Sequence, residues 1–300
     1  MSHEVNPIEE EFHNPTSSLN WKESYYFQLY DPDVKLCALF YISAYPNVPK
    51  RDYLAAFLAD GDVDIYLNTL PSSGKLDGLN DGKLRFEMIE PLEQWKIHFD
   101  DGKRFVNLVF SGRFDPFAYN PKQAYQKDVL EQEHYEQGCF VEGVIRLIDG
   151  TEYTIDCYGH RDHSWGLRDY SAIDEWNWLA AQFSWCTINI IKLHMGSKLE
   201  TAGYLSSLVG NQRLTDIRFE TQFESDEKTP QGFIVLFTDE HGKKWQLNST
   251  KLQTMVYPPR QSKRGRETKI YEIVSQFTLR EDPDVGYGIA EYLITQKNTT

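Results

Sequence analysis

Apolar and polar positions along this chain recur with a period of two, the spacing of a half-buried strand. Leu84–Ile89 and Trp95-Lys96-Ile97-His98-Phe99 show the alternation plainly. Apolar and aromatic runs predict further strands at Trp21–Tyr30, Leu36–Tyr45, Tyr53–Leu58, Ile65–Leu70 and Phe105–Phe110. Turn residues separate them: Asp60-Gly61-Asp62, Asp100-Asp101-Gly102-Lys103 and Asp149-Gly150. The Asp-Gly pair between Gly143–Ile148 and Thr151–Cys157 is a strong hairpin signal. The rhythm resumes in the second half at Trp178–Phe183, Thr187–Met195, Gly203–Val209, Gln212–Phe223, Gly232–Thr238, Lys244–Leu252, Lys269–Leu279 and Gly286–Thr295. This amounts to about seven or eight short strands per half, which predicts an all-β chain of two consecutive barrels or sandwiches. Only Asn120–Gln137 breaks the pattern, and it reads as a short helix or a long surface loop.

Composition supports the β reading. Aromatic residues make up 14 % of the 300 residues, and Met is scarce. The net charge of −14 argues against a nucleic-acid partner, because phosphate binding needs concentrated Lys and Arg. The one dense basic run, Arg260–Arg266, reads as a solvated loop, with an anion or headgroup contact at a membrane surface as the alternative. No apolar run is long enough for a transmembrane segment. Cysteines at 37, 139, 157 and 186 lack the spacing of a zinc or redox site. They predict free thiols in a reducing cytoplasm, and the acidic N-terminus shows no signal peptide. Nucleotide-binding glycine motifs are absent, and no cofactor is expected.

The densest chemistry lies in Gly159-His160-Arg161-Asp162-His163-Ser164-Trp165-Gly166-Leu167-Arg168-Asp169-Tyr170. The glycines suggest a backbone able to turn tightly. If the segment is extended, Arg161 and His163 face one way while Asp162 and Ser164 face the other. Asp162 or His163 could then serve as a general acid, its proton retained by burial. A structural Arg–Asp pair is the alternative. A metal ion shared by His160, Asp162 and His163 would need a bent backbone, and no metal is expected. Trp165, Tyr170, Trp176, Trp178, Phe183 and Trp185 are either core packing or a π-rich pocket wall able to stabilise a cation. Glu23, within Trp21-Lys22-Glu23-Ser24-Tyr25-Tyr26, either pairs with Arg161 or Arg168 or faces solvent. Ser164 lacks the elbow of a serine hydrolase.

Asn20–Tyr26 followed by Gly159–Asp169 resembles the tandem-lipocalin group of carotenoid 1,2-hydratase-like and AttH-like proteins, over roughly residues 14 to 297. The resemblance implies two consecutive lipocalin-like antiparallel β-barrels, at 14–158 and 159–300, behind a flexible acidic segment 1–13. In the hydratases an Asp-His-x-Trp string matches Asp162, His163 and Trp165. Their downstream Tyr and Asp have no evident counterpart, since Thr187–His194 carries no carboxylate. The implied activity is protonation of a C=C bond in an apolar isoprenoid or polyene, giving hydration or cyclisation. The expected catalytic set is Asp162 as the acid, oriented by His163 and Arg161, with Glu23 as a second carboxylate. The expected substrate contacts are Trp165, Trp176, Trp178, Trp21, Tyr25, Tyr170 and Arg168. A carrier of a lipophilic molecule, or a pericyclase that uses no acid, remains the alternative.

Overall fold

A computed structural model describes residues 5–48, 50–71, 78–119, 130–168, 173–226, 229–261 and 266–297. The chain forms two compact units, 1–168 and 169–300, each built on one antiparallel sheet.

The first sheet contains β1 (Trp21–Asp31), β2 (Leu36–Tyr45), β3 (Lys50–Ala59), β4 (Asp62–Leu70), β5 (Leu84–Glu90), β6 (Gln94–Asp100), β7 (Phe105–Gly112), β8 (Phe117–Tyr119), β9 (Leu130–Arg146) and β10 (Glu152–Arg168). Its order is β4-β3-β2-β1-β10-β9-β7-β6-β5, with β8 on β9. β3 also approaches β5, so the sheet curls toward a barrel. The concave face collects Tyr25, Phe27, Phe40, Phe57, Trp95, Ile97, Phe99, Val141 and Ile155 into one apolar core. The hairpin turns follow their sequence signals. Asp101 Oδ1 accepts from the backbone N–H groups of Lys103 and Arg104, and Asp149 Oδ1 accepts from that of Thr151. Gly102 and Gly150 supply the positive φ of these turns.

The second sheet contains β11 (Glu175–Gln182), β12 (Cys186–Met195), β13 (Lys198–Ser207), β14 (Gly210–Arg213), β15 (Thr215–Phe223), β16 (Pro230–Thr238), β17 (Lys244–Gln261), β18 (Arg266–Leu279) and β19 (Val285–Lys297). Its order is β14-β13-β12-β11-β19-β18-β17-β16-β15, and β13 approaches β15 at the other end. Its core holds Leu179, Phe183, Ile188, Ile190, Phe233, Val235, Ile273, Phe277 and Tyr292.

Four expectations change. β9 and β10 run 17 residues each, so the Gly159–Arg168 string is continuous strand within the first sheet rather than a tight turn. Gly159 serves close packing, because a Cβ there would lie 2.6 Å from both the Gln28 carbonyl oxygen and Val141. The irregular stretch resolves from Leu130 onward into β9, while 120–129 fall outside the described residues. Leu214 divides the expected strand Gln212–Phe223 into β14 and β15. The N-terminal segment read as flexible is anchored: Pro7–Glu10 forms a 3-10 turn, and Glu10 and Val5 are buried. No helix among the described residues is long and apolar enough to cross a membrane. The four cysteines are free, and Cys37, Cys139 and Cys186 are buried.

Candidate functional site

The register around β10 decides which groups meet. β10 pairs with β1 through Glu23↔Trp165, Tyr25↔His163 and Phe27↔Arg161, and with β9 through Arg161↔Gln137 and His163↔Tyr135. Side chains alternate along strands, so these residues share the concave face with the apolar core. Asp162 and Ser164 share the opposite face with Ser24, Tyr26, His134 and Glu136.

The concave face carries a connected ionic chain. Arg161 donates from Nη2 to Glu10 Oε1 at 2.7 Å, from Nη1 to Glu10 Oε2 at 3.2 Å, and from Nε to Gln137 Oε1 at 2.8 Å. Glu10 also accepts from the backbone N–H of Leu92, and its own carbonyl accepts from the Tyr25 hydroxyl. Glu23 Oε1 sits 2.9 Å from His13 Nδ1 and 3.0 Å from His163 Nε2. The other ring nitrogen of His163 lies 3.2 Å from the Tyr135 hydroxyl. His13 stacks on Trp165 with ring centroids 3.7 Å apart, and Tyr25 stacks on His163 at 3.9 Å. Burial raises both carboxyls, but their partners more than reverse it. Arg161 holds Glu10 below its ordinary value, and hydrogen bonds from His13 and His163 do the same for Glu23. Burial pushes the Tyr135 and Tyr25 phenols well up. This face therefore holds ionised carboxylates that are fully engaged.

The opposite face behaves differently. Glu136 is buried and held by two imidazoles, His160 Nε2 at 2.8 Å and His134 Nε2 at 3.5 Å. These contacts outweigh desolvation and keep its carboxyl below the ordinary value. Ser24 and Ser164 hydroxyls meet at 2.9 Å, and Arg168 donates to Ser164 Oγ at 3.1 Å. Asp162 sits among these groups, partly buried, and among the described residues it makes no hydrogen bond or ion pair. Desolvation raises its carboxyl above the ordinary value. The Glu136 charge adds to this, while His134, Arg168 and His163 oppose it.

The structure thus divides the expected catalytic set. Arg161 does not orient Asp162: it lies on the other face of the strand and is committed to Glu10 and Gln137. Glu23 pairs neither with Arg161 nor with Arg168, and it is not solvated; it joins His13 to His163. Trp165, Trp21 and Tyr25 share the concave face, whereas Arg168 stands on the Asp162 face. Trp176 and Trp178 belong to β11 of the second unit. Tyr170 lies outside the described residues, as do 262–265 of the basic run. Glu10, His13, His134, Tyr135 and Glu136 were not anticipated. Only the period-two rule, applied to the strand neighbours of the string, could have raised the last three.

Two donor sets are close enough to hold a cation: His13, Glu23 and His163, and His134, Glu136 and Asp162, with ligand atoms within 4.8 Å in each. In the first set both short contacts are imidazole–carboxylate hydrogen bonds to Glu23, which engage those groups without an ion; in the second, Glu136 is held most closely by His160, outside the set, and His134 stands 3.5 Å from it.

The second unit carries one further group of this kind. Glu272 and Glu291 face each other across β18 and β19, and Trp178 lies opposite Glu291 on β11. Burial, and then the neighbouring Glu291, drives the Glu272 carboxyl well above its ordinary value. Two carboxylates so placed cannot both ionise, so the pair retains a proton.

Similar folds are known. An AttH-type protein of Nitrosomonas europaea superposes with a TM-score of 0.66 at 13 % identity, over 91 % of this chain and 92 % of that one. CghA in complex with Sch210972 gives a TM-score of 0.65 at 13 % identity, over 93 % of this chain and 88 % of that one. Kievitone hydratase of Nectria haematococca gives a TM-score of 0.63 at 14 % identity, over 97 % of this chain and 93 % of that one. At such identities the likeness carries the fold. It agrees with the AttH-like architecture that the sequence suggests. None of the curated proteins matches. Residues 6–296 match the family described as "Domain of unknown function (DUF7064)", and the chain belongs to that family.

Proposed function

We propose that this protein is an enzyme that protonates a C=C bond of an apolar small molecule, giving hydration or cyclisation, with Asp162 as the proton donor. The observation that carries the reading is the state of Asp162. Its carboxyl is desolvated, its pKa is raised, and no hydrogen bond or ion pair among the described residues engages it. General acids work best when their proton is retained toward neutral pH. The fold neighbours, which include a hydratase and a protein crystallised with a small molecule, support this class of chemistry by analogy.

In this reading the Asp162 proton bonds to one alkene carbon, using the π electron pair, and the other carbon becomes cationic. Water attacks the cation and releases a proton that restores Asp162. In cyclisation, a second alkene supplies the electron pair and a C–H proton is lost instead. Glu136, ionised between two imidazoles, places negative charge near the developing cation on the same face. Tyr26, opposite Asp162 on β1, and Tyr119, stacked on His134 with centroids 4.5 Å apart, are the aromatic neighbours of that face.

A second reading rests on the Glu272–Glu291 pair beside Trp178, a proton-holding carboxyl set next to an indole. One experiment separates the two. Protein purified from its own host is examined by native mass spectrometry for a retained apolar ligand, and turnover of that compound is followed in D2O. Protonation of a C=C bond places deuterium on carbon. Asp162→Asn should abolish incorporation and leave ligand affinity nearly intact, while Glu272→Gln should leave incorporation in place. The reverse pattern moves the donor to the second unit. Product without carbon-bound deuterium identifies a pericyclase, and a ligand without turnover identifies a carrier.

A further inference from the structure

The Asp162 face of the first sheet brings three metal-binding donors together on paired strands. Glu136 on β9 lies directly opposite Asp162 on β10, and His134, two residues along β9, lies opposite Ser164. Residues opposite one another, and those two apart, share a face, so all three point the same way. One donor atom from each lies within 4.8 Å of the other two. Strand pairing fixes both backbones, and Tyr119 on β8 stacks on the His134 ring with centroids 4.5 Å apart.

The bonding within this group is incomplete. His134 is 5 % exposed, and its buried Nδ1 has no partner. Its Nε2 stands 3.5 Å from Glu136 Oε1, beyond the usual range of about 2.7–3.2 Å for such a hydrogen bond. Around a tetrahedral ion with bonds of about 2.1 Å, neighbouring donors stand about 3.4 Å apart. The pair thus already has the spacing of two ligands on one ion. Glu136 Oε2 lies 2.8 Å from His160 Nε2, an outer contact of the kind that orients a ligating carboxylate. Asp162 makes no hydrogen bond or ion pair among the described residues, so it has no partner to give up. It is also the most exposed of the three, which gives an ion its way in. The other donor set differs, since His13 and His163 both hold Glu23 at 3.0 Å or less.

We infer that His134, Glu136 and Asp162 form a binding site for one divalent transition-metal ion of the Zn2+ kind, with a fourth position left to water. Two carboxylates neutralise the charge of the ion. The imidazole selects it over Mg2+ and Ca2+, which take oxygen donors. The ion fits between the donor atoms themselves and needs no further cavity. Ion and proton compete for the Asp162 carboxylate, so where Asp162 serves as the acid the ion withdraws it from the reaction. That consequence rests on the function proposed above, and the site itself does not.

The test uses the full chain, stripped with EDTA, and CoCl2, because Co2+ replaces Zn2+ and absorbs strongly in the visible when four-coordinate. The wild-type protein should take up one equivalent with that absorption, and ZnCl2 should abolish it. Asp162→Asn and His134→Leu should each weaken Co2+ binding about a hundredfold or more, beyond what the loss of an outer contact costs. His13→Asn, in the other donor set, should bind as the wild type does. Asp162→Asn keeps the size and shape of the side chain, so it preserves the test if His134→Leu does not fold, as a thermal melt would show. Absence of the absorption in wild type, or unchanged affinity in Asp162→Asn or in a folded His134→Leu, would overturn the inference. Loss of binding in His13→Asn would move the ion to Glu23 and overturn it equally. The readout is metal uptake alone. Protein that binds Co2+ but places no deuterium on carbon loses its proton donor and keeps this site, and the reverse result removes the site and keeps the donor.

Discussion

Both faces of β10 hold an engaged, ionised carboxylate, but only one of them also holds a carboxyl that retains its proton. On the concave face, Arg161 and His163 belong to a chain in which Glu10 and Glu23 are ionised, buried and fully engaged. On the other face, Asp162 is desolvated and makes no hydrogen bond or ion pair among the described residues. Neighbouring positions of β10 thus border carboxyls shifted in opposite directions: Glu10 and Glu23, held by Arg161 and His163, fall, and Asp162 itself rises. The difference teaches that density of charge in sequence says little about reactivity. A charge that has found its partners braces the fold, and one that has not is free to exchange a proton.

The comparison can be broken most forcefully at Arg161. Arg161→Ala leaves the Glu10 carboxylate buried without its counter-ion, a change expected to cost about 3–5 kcal/mol in urea unfolding. A loss under about 1 kcal/mol would mean that the concave chain is not a brace. Glu23→Gln should cost about 1.5–3 kcal/mol, because two imidazole contacts lose their charged acceptor. It should also flatten the acid limb of stability. Glu23 and Glu10 titrate below their ordinary value of 4.5, so the unfolded chain binds more protons than the folded one in that range. Their contribution is complete above the unfolded value and disappears as pH falls through the folded ones.

Asp162 has the opposite sign. Its folded value lies above the ordinary 3.8, so stability declines as pH rises from there through the folded value. Asp162→Asn should therefore leave stability at neutral pH unchanged or raise it by about 1 kcal/mol. A marked loss would place Asp162 among the bracing groups. Glu272→Gln should have the smallest effect, within about 0.5 kcal/mol at neutral pH, since the native carboxyl already keeps its proton. A larger loss would mean that the Glu272–Glu291 pair is ionised.

Much of the architecture was legible in the sequence because strand periodicity and Asp-Gly turns are local signals. Ile97 and Phe99 alternate with Lys96 and His98 whatever the rest of the chain does. The same rule placed Arg161 and His163 opposite Asp162 and Ser164, as the register confirms. Partners were not legible. Glu10 and Arg161 stand 151 residues apart, and Glu23 and His163 stand 140 apart. Which strands become neighbours, and in which register, is decided by the whole sheet. The anchoring of the acidic N-terminal segment escaped notice for the same reason: its charge suggests solvation until Arg161 supplies the counter-ion.

The central claim is that neighbouring positions on one strand hold an engaged carboxylate chain and a proton-retaining acid. Carbon-13 NMR titration of the side-chain carboxyls, in protein labelled at Asp and Glu and assigned with Asp162→Asn and Glu23→Gln, measures it directly. Asp162 should titrate above 3.8 and Glu23 below 4.5. An Asp162 midpoint at or below 3.8 would contradict the account and remove its proton donor.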